Sequence, residues 1–207
     1  MLFGFLLYPG IEPIDIAAIG VVSMAKRIIP ELEYVTIATD EEAVQFSNGL
    51  RVLPDQQITD APRVDVLIVP GGPGWMAASA DERILDYLRS ASDSCIIVSV
   101  CTGAMFLAKA GLLAGKAATT KKEVVPPEES PLQTLKSQFP DTVARTALVV
   151  DEGGIVTGGG VSLCIDTVLY VLRREFGPAR VAEVARILEY ESAHAANCAR
   201  LEVVDNR

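Results

Sequence analysis

The chain has 207 residues, 50% of them hydrophobic and 22% charged, which suits one globular unit with a sizeable buried core. Lys and Arg total 18 against 27 Asp and Glu, and the resulting charge of −9 speaks against nucleic acid as the main partner, because phosphate binding needs clustered cations. No apolar run approaches the roughly 20 residues that span a bilayer, and Pro and Gly are too scattered for any segment to read as disordered.

The opening MLFGFLLYPG is apolar but short, with no cationic leader and no small-residue cleavage site. It reads as a buried strand over Phe3 to Tyr8, not as a signal peptide, and the expected location is the cytoplasm. A helix is predicted over 14–28 and a second strand over 32–39. AVQFSNGLRVL predicts a hairpin over 43–53 turning at Asn48-Gly49 with type I′ geometry. VDVLIVPGG predicts a third core strand ending in Gly71-Gly72. A helix over 81–90, with a start nearer Trp75, precedes a fourth core strand over 95–100. A helix over 102–110 stops at Gly111. A short strand over 116–120, a helix over 131–139, a strand pair (142–150 with 154–157) and helices over 160–176 and 178–191 complete the chain. Continuous Val/Ile/Leu strands separated by helices predict an α/β sandwich with a mostly parallel sheet covered on both faces. With no repeat and no linker, residues 1–207 read as a single domain.

Ligands of open parallel sheets bind beyond the carboxyl ends of the strands. Three predicted strands end distinctively there: the first before Pro9 and Asp15, the third at Pro70-Gly71-Gly72, the fourth at Cys101. A cysteine between strand and helix meets amide N–H groups without intrahelical partners, which lower a thiol below its usual ~8.5 and can hold a developing anion. Gly103 lets such a turn pack closely. From position alone Cys101 is equally well a core cysteine, and Asp15 an ordinary acid at a helix N-terminus. Cys95 and Cys164 read as core residues and Cys198 as inert. Cys95 and Cys101 flank a strand about 17 Å long, beyond disulfide reach, and no CxxC or His-rich spacing supports a metal site. Gly158-Gly159-Gly160 precedes a helix without the spacing of a phosphate loop, so close backbone approach beneath the Cys101 turn is its expected use. Asp166 reads as a structural hydrogen-bonding group.

SVCTGAMFLAKAGLLAGKAATT, VLIVPGG and VTGGGVSLCIDTVLYVL together resemble the DJ-1/PfpI superfamily. With GFLLYPGIEPIDIAAIG and ARILEYE, the chain is most similar to its isonitrile hydratase branch and to the amidase-like domains of AraC-type regulators. The resemblance implies a flavodoxin-like three-layer sandwich, a homodimer, and no metal or organic cofactor. It implies Cys101 as the reactive cysteine, Asp15 as the acid hydrogen-bonded to it, and backbone N–H groups of Gly72 and Thr102 facing a small-molecule substrate, with Gly71, Trp75 and Lys121 around the pocket. Glu12 is the reserve carboxylate. Two anions in a poorly hydrated site repel, so Asp15 is expected to be protonated and to serve as general acid. The chain departs from its relatives in two places. Thr102 stands where PfpI-like hydrolases carry a histidine, leaving the single His194 as the only distant base. Lys121-Lys122 follow Thr120 where the hydratases carry His-Trp. The expected activity is isocyanide hydration through a Cys101 thioimidate. The alternative is a non-enzymatic redox or ligand sensor, with glyoxalase-like or hydrolase action a weaker third.

Overall fold

The computed structural model describes residues 1–207. Strand β1 (Leu2–Leu7) leads through a 3-10 turn (Pro13–Ile16) into α1 (Ala17–Ala25), then β2 (Glu33–Ala38), β3 (Val44–Gln45), β4 (Arg51–Val52), β5 (Gln56–Gln57) and β6 (Val66–Val69). Helices α2 (Trp75–Ala78) and α3 (Glu82–Ser92) precede β7 (Ile96–Ser99), a 3-10 turn (Cys101–Gly103) and α4 (Ala104–Lys109). β8 (Ala117–Ala118), α5 (Pro131–Gln138), β9 (Val143–Ala144), β10 (Val149–Asp151) and β11 (Ile155–Gly158) follow. The chain closes with α6 (Cys164–Phe176), α7 (Pro178–Ile187), α8 (Glu191–Arg200) and β12 (Val203–Asp205).

Eight strands form one sheet in the order β12-β10-β11-β7-β6-β1-β2-β5, parallel except where β10 runs antiparallel to β11. β6 shows why the strands are apolar throughout. Leu67 and Val69 join α3, α4 and α5 on one face, while Val66 and Ile68 join α1, α6 and α7 on the other. Period-two alternation thus feeds two separate cores, and all four residues are fully buried. This is the expected flavodoxin-like three-layer sandwich.

Several local expectations need correction. The helix predicted from Ile14 begins as a 3-10 turn, with Pro13 at its first position where no N–H is needed. The β3–β4 hairpin exists, but among its turn residues only Gly49 has positive φ (89°). Gly49 N donates to Phe46 O (3.0 Å) and Phe46 N to Leu50 O (2.8 Å), so the loop is longer than a two-residue type I′ turn, which needs two positive φ values. The strand predicted over 142–150 splits: β9 pairs with β8 in a separate ribbon, and only β10 enters the main sheet. The helix predicted from Gly160 starts at Cys164; before it, Gly159 O accepts the Cys101 N–H (3.1 Å). Neither α8 nor β12 was predicted. No residue of α8 is buried, so it carries no apolar stripe, and β12 is three residues long. None of the helices is long and apolar enough to cross a membrane.

Candidate functional site

Three strand ends and one 3-10 turn meet at Cys101. Val100 is still extended (φ −124°, ψ 151°), and Cys101 then takes φ 52°. A residue with a Cβ costs about 1–2 kcal/mol in this left-handed region. The strain is held by bonds on both sides: Val100 N to Val69 O (3.0 Å), Cys101 N to Gly159 O (3.1 Å) and Thr120 Oγ1 to Cys101 O (2.6 Å). Gly103 is required because a Cβ there would lie 2.1 Å from Val69 O.

The turn containing Asp15 delivers its carboxyl to this point, 1% exposed. Oδ2 accepts the Gly71 N–H at 2.6 Å, and Oδ1 has no partner of good geometry. The Cys101 thiol neighbours the carboxyl without an aligned hydrogen bond to it, and each acts on the other's protonation. Burial raises the Asp15 carboxyl to about 7, against the opposing pull of the Gly71 N–H and the thiol; the Glu12 charge adds to the rise and the Lys121 charge subtracts from it.

Cys101 is 2% exposed. Burial pushes its thiol well above the ordinary range, and the Asp15 charge pushes it further, while the Thr102 N–H and Lys121 oppose. This corrects the expectation of a thiol lowered by the amides of its turn. Desolvation outweighs the few amides of a three-residue 3-10 turn. The site is instead a thiol held well above its ordinary range beside a carboxyl raised to about 7.

The remaining predicted residues separate. Gly71 sits against the turn, where a Cβ would meet Thr102 N at 2.3 Å. The Thr102 N–H faces the sulfur. The Gly72 N–H, however, donates to Thr102 Oγ1 at 2.8 Å, so it is spent inside the protein and does not face a substrate. Lys121 is half-buried, and its Cβ and the Cys101 Sγ both crowd Gly160: a Cβ on Gly160 would lie 2.8 Å from one and 3.0 Å from the other. The expected close approach of the glycine run is therefore present, and Gly160 joins the site. Trp75 turns to α4, with Lys109 Nζ 5.5 Å from its ring centroid.

Tyr8 was missed because it reads as the last residue of a buried strand. Its hydroxyl donates to Pro70 O (3.0 Å), its ring packs on Phe106 (centroids 4.7 Å apart), and the Asp15 and Cys101 charges add to the burial that raises it. His194 lies elsewhere: Nδ1 is 2.6 Å from Asp166 Oδ1, while Tyr190 and Asn197 donate to Oδ2. Asp166 is thus the structural group expected, fixing α8 to α6. Clefts of about 440 Å³ around Tyr170, Arg173 and Arg207 and of about 360 Å³ around Arg63 and Cys95 both lie away from Cys101.

Comparison with known proteins agrees with this geometry. Residues 5–174 match the DJ-1/PfpI family. Isonitrile hydratase of Pseudomonas putida is 34% identical over 191 residues, covering 92% of this chain and 78% of that protein. The HTH-type transcriptional regulator GbdR of Pseudomonas aeruginosa is 29% identical over 91% of this chain, which spans only 50% of the regulator's length. The crystal structure of a THiJ/PfpI family protein from Pseudomonas syringae superposes with a TM-score of 0.78 at 24% identity, over 91% of this chain and 74% of that one. The strained cysteine turn, its carboxyl neighbour and the length of the match lead to one assignment: the chain belongs to the DJ-1/PfpI family.

Proposed function

We propose that the protein is a cysteine-dependent hydro-lyase of the isonitrile hydratase type, converting an isocyanide to an N-substituted formamide. The observation that carries this reading is the buried Cys101 thiol paired with the Asp15 carboxyl and with no imidazole beside it. Such a pair suits addition of S–H across one carbon better than acyl transfer, which relies on an activating base for the nucleophile. The slender, linear N≡C head also suits a sulfur that is only 2% exposed.

In this mechanism Sγ bonds to the terminal carbon of R–N≡C while the thiol proton passes through Asp15 to the same carbon, giving the thioimidate R–N=CH–S. Water then adds, its oxygen to carbon and one proton to nitrogen. Collapse of R–NH–CH(OH)–S expels sulfur, returns the hydroxyl proton to it, and releases R–NH–CHO. The Thr102 N–H steadies charge on sulfur between these steps. No metal or organic cofactor enters. The test is incubation with alkyl and aryl isocyanides and detection of the formamide by NMR. Turnover that vanishes in a folded Cys101→Ala protein supports the assignment; no turnover across a broad set defeats it.

The likeness to GbdR favours a second reading, a ligand-responsive protein without turnover. Rapid peroxide sensing fits less well, since oxidation follows thiolate character and exposure. Intact-mass analysis after mild peroxide checks this: selective oxidation of Cys101 ahead of Cys198 would revive the redox form. We also propose a homodimer, to be checked by sedimentation; Leu53 and Met76 are 70% and 63% exposed.

A further inference from the structure

Lys121 is an unpaired charge in a protein rich in partners for it. Of the 207 residues 27 are acidic, and Lys26, Lys122 and many arginines form ion pairs. Lys121 forms none, and its ammonium donates no hydrogen bond, although the residue is half-buried. Its side chain rises from the spot that Gly160 keeps open: the Lys121 Cβ and Cγ and the Cys101 Sγ all lie within 3.1 Å of where a Gly160 side chain would begin. Its charge acts on both the thiol and Asp15. The other half-buried charge here, Glu12, bonds Gly71 O through its backbone N–H (2.9 Å), and its carboxylate raises Asp15. A ligand whose head reaches the sulfur therefore passes the stem of Lys121, whose ammonium is free to pair with its tail. The ammonium keeps contact with solvent and has no partner within the protein, so it is available to pair with an anion.

Resting on the reading under Proposed function, we infer that Lys121 forms an anion-binding subsite and that the natural substrates are isocyanides bearing a carboxylate one or two carbons from nitrogen. The carboxylate takes no part in bond making; it anchors the tail while the isocyano carbon is held at Sγ. Isocyanoacetate is the simplest such compound, and N-formylglycinate is its hydration product.

Two measurements test this. In turnover assays, wild type should prefer isocyanoacetate to its neutral ethyl ester. Lys121→Met should lower kcat/KM for isocyanoacetate about 10- to 100-fold more than for the ester, the difference lying mainly in KM, as expected for loss of one charge-assisted contact. Equal losses on both compounds, carried by kcat, would mean that Lys121 tunes the acid pair and would overturn the subsite. Calorimetric binding of N-formylglycinate and of neutral N-ethylformamide separates this from the assignment of the reaction. If no isocyanide is turned over but N-formylglycinate binds at least tenfold more tightly than N-ethylformamide, and Lys121→Met removes the difference, the subsite stands and the hydratase reading falls. No preference for the anion in either experiment sinks the subsite alone.

Discussion

Asp15→Asn separates the two roles of the buried acid. Asp15 is 1% exposed and its carboxyl is raised from 3.8 to about 7, chiefly by burial. A raised carboxyl means that the folded chain binds the proton more tightly than the unfolded chain. Below about pH 4 both states hold the proton and nothing is lost. Between about pH 4 and 7 only the unfolded chain ionises, so stability falls as pH rises. Above that window the penalty is complete, roughly three units at 1.36 kcal/mol each, or about 4 kcal/mol. At pH 5 it is only about 1.5–2 kcal/mol by the same linkage. Asn keeps an oxygen for the Gly71 N–H and carries no charge. Its stability relative to wild type should therefore rise by roughly 2–3 kcal/mol between pH 5 and 8, whatever fixed cost the amide brings. The Cys101 thiol lies high enough to stay protonated throughout. Urea unfolding followed by circular dichroism at both pH values measures the gap, and the same protein should show no isocyanide turnover. A gap that stays level, or widens towards acid, refutes the reasoning.

Cys101→Gly should be about 1 kcal/mol more stable than Cys101→Ala in urea, the reverse of the usual order, because only glycine relaxes φ 52°. Gly160→Ala places a methyl 2.8 Å from Lys121 Cβ and 3.0 Å from Cys101 Sγ; it should abolish turnover while costing only about 1–3 kcal/mol of stability, measured as formamide release beside an unfolding curve. Arg174→Met should cost about 3–5 kcal/mol, because it leaves the fully buried Asp151 without the guanidinium that bonds both its oxygens at 3.1 and 3.2 Å. A loss under 1 kcal/mol by urea unfolding would show that Tyr170 and Arg207, which also reach Asp151 Oδ2 at 2.9 and 3.4 Å, suffice.

The sheet and the cysteine turn were legible because each rests on local residues. An uninterrupted run such as Val66–Val69 has only one use, burial on both faces, and a strand that ends in cysteine beside a glycine marks its own turn. What short stretches of sequence omit is the surroundings. The amides after Cys101 are visible in the sequence, but the burial that overrides them, and the Asp15 charge that adds to it, are set by distant segments: Asp15 stands 86 residues behind and Gly160, close against the sulfur, 59 ahead in the numbering. Tyr8 was hidden by its apolar neighbours, and Gly72 by Thr102, whose side chain claims its N–H from 30 residues away. α8 escaped notice because it is held by one buried carboxylate, Asp166, through His194, Tyr190 and Asn197, and not by an apolar face.

The pairing of β12 with β10 has a consequence for how the protein is made. Leu148 N donates to Glu202 O (2.8 Å) and Asn206 N to Asp151 O (2.9 Å), so the outer rim of β10 is satisfied by backbone that leaves the ribosome after every other strand of the sheet. Until then, Val149–Asp151 is an open ladder that a neighbouring nascent chain can occupy. Chains truncated before Val203 should therefore accumulate in inclusion bodies even though every residue around Cys101 has already been synthesised.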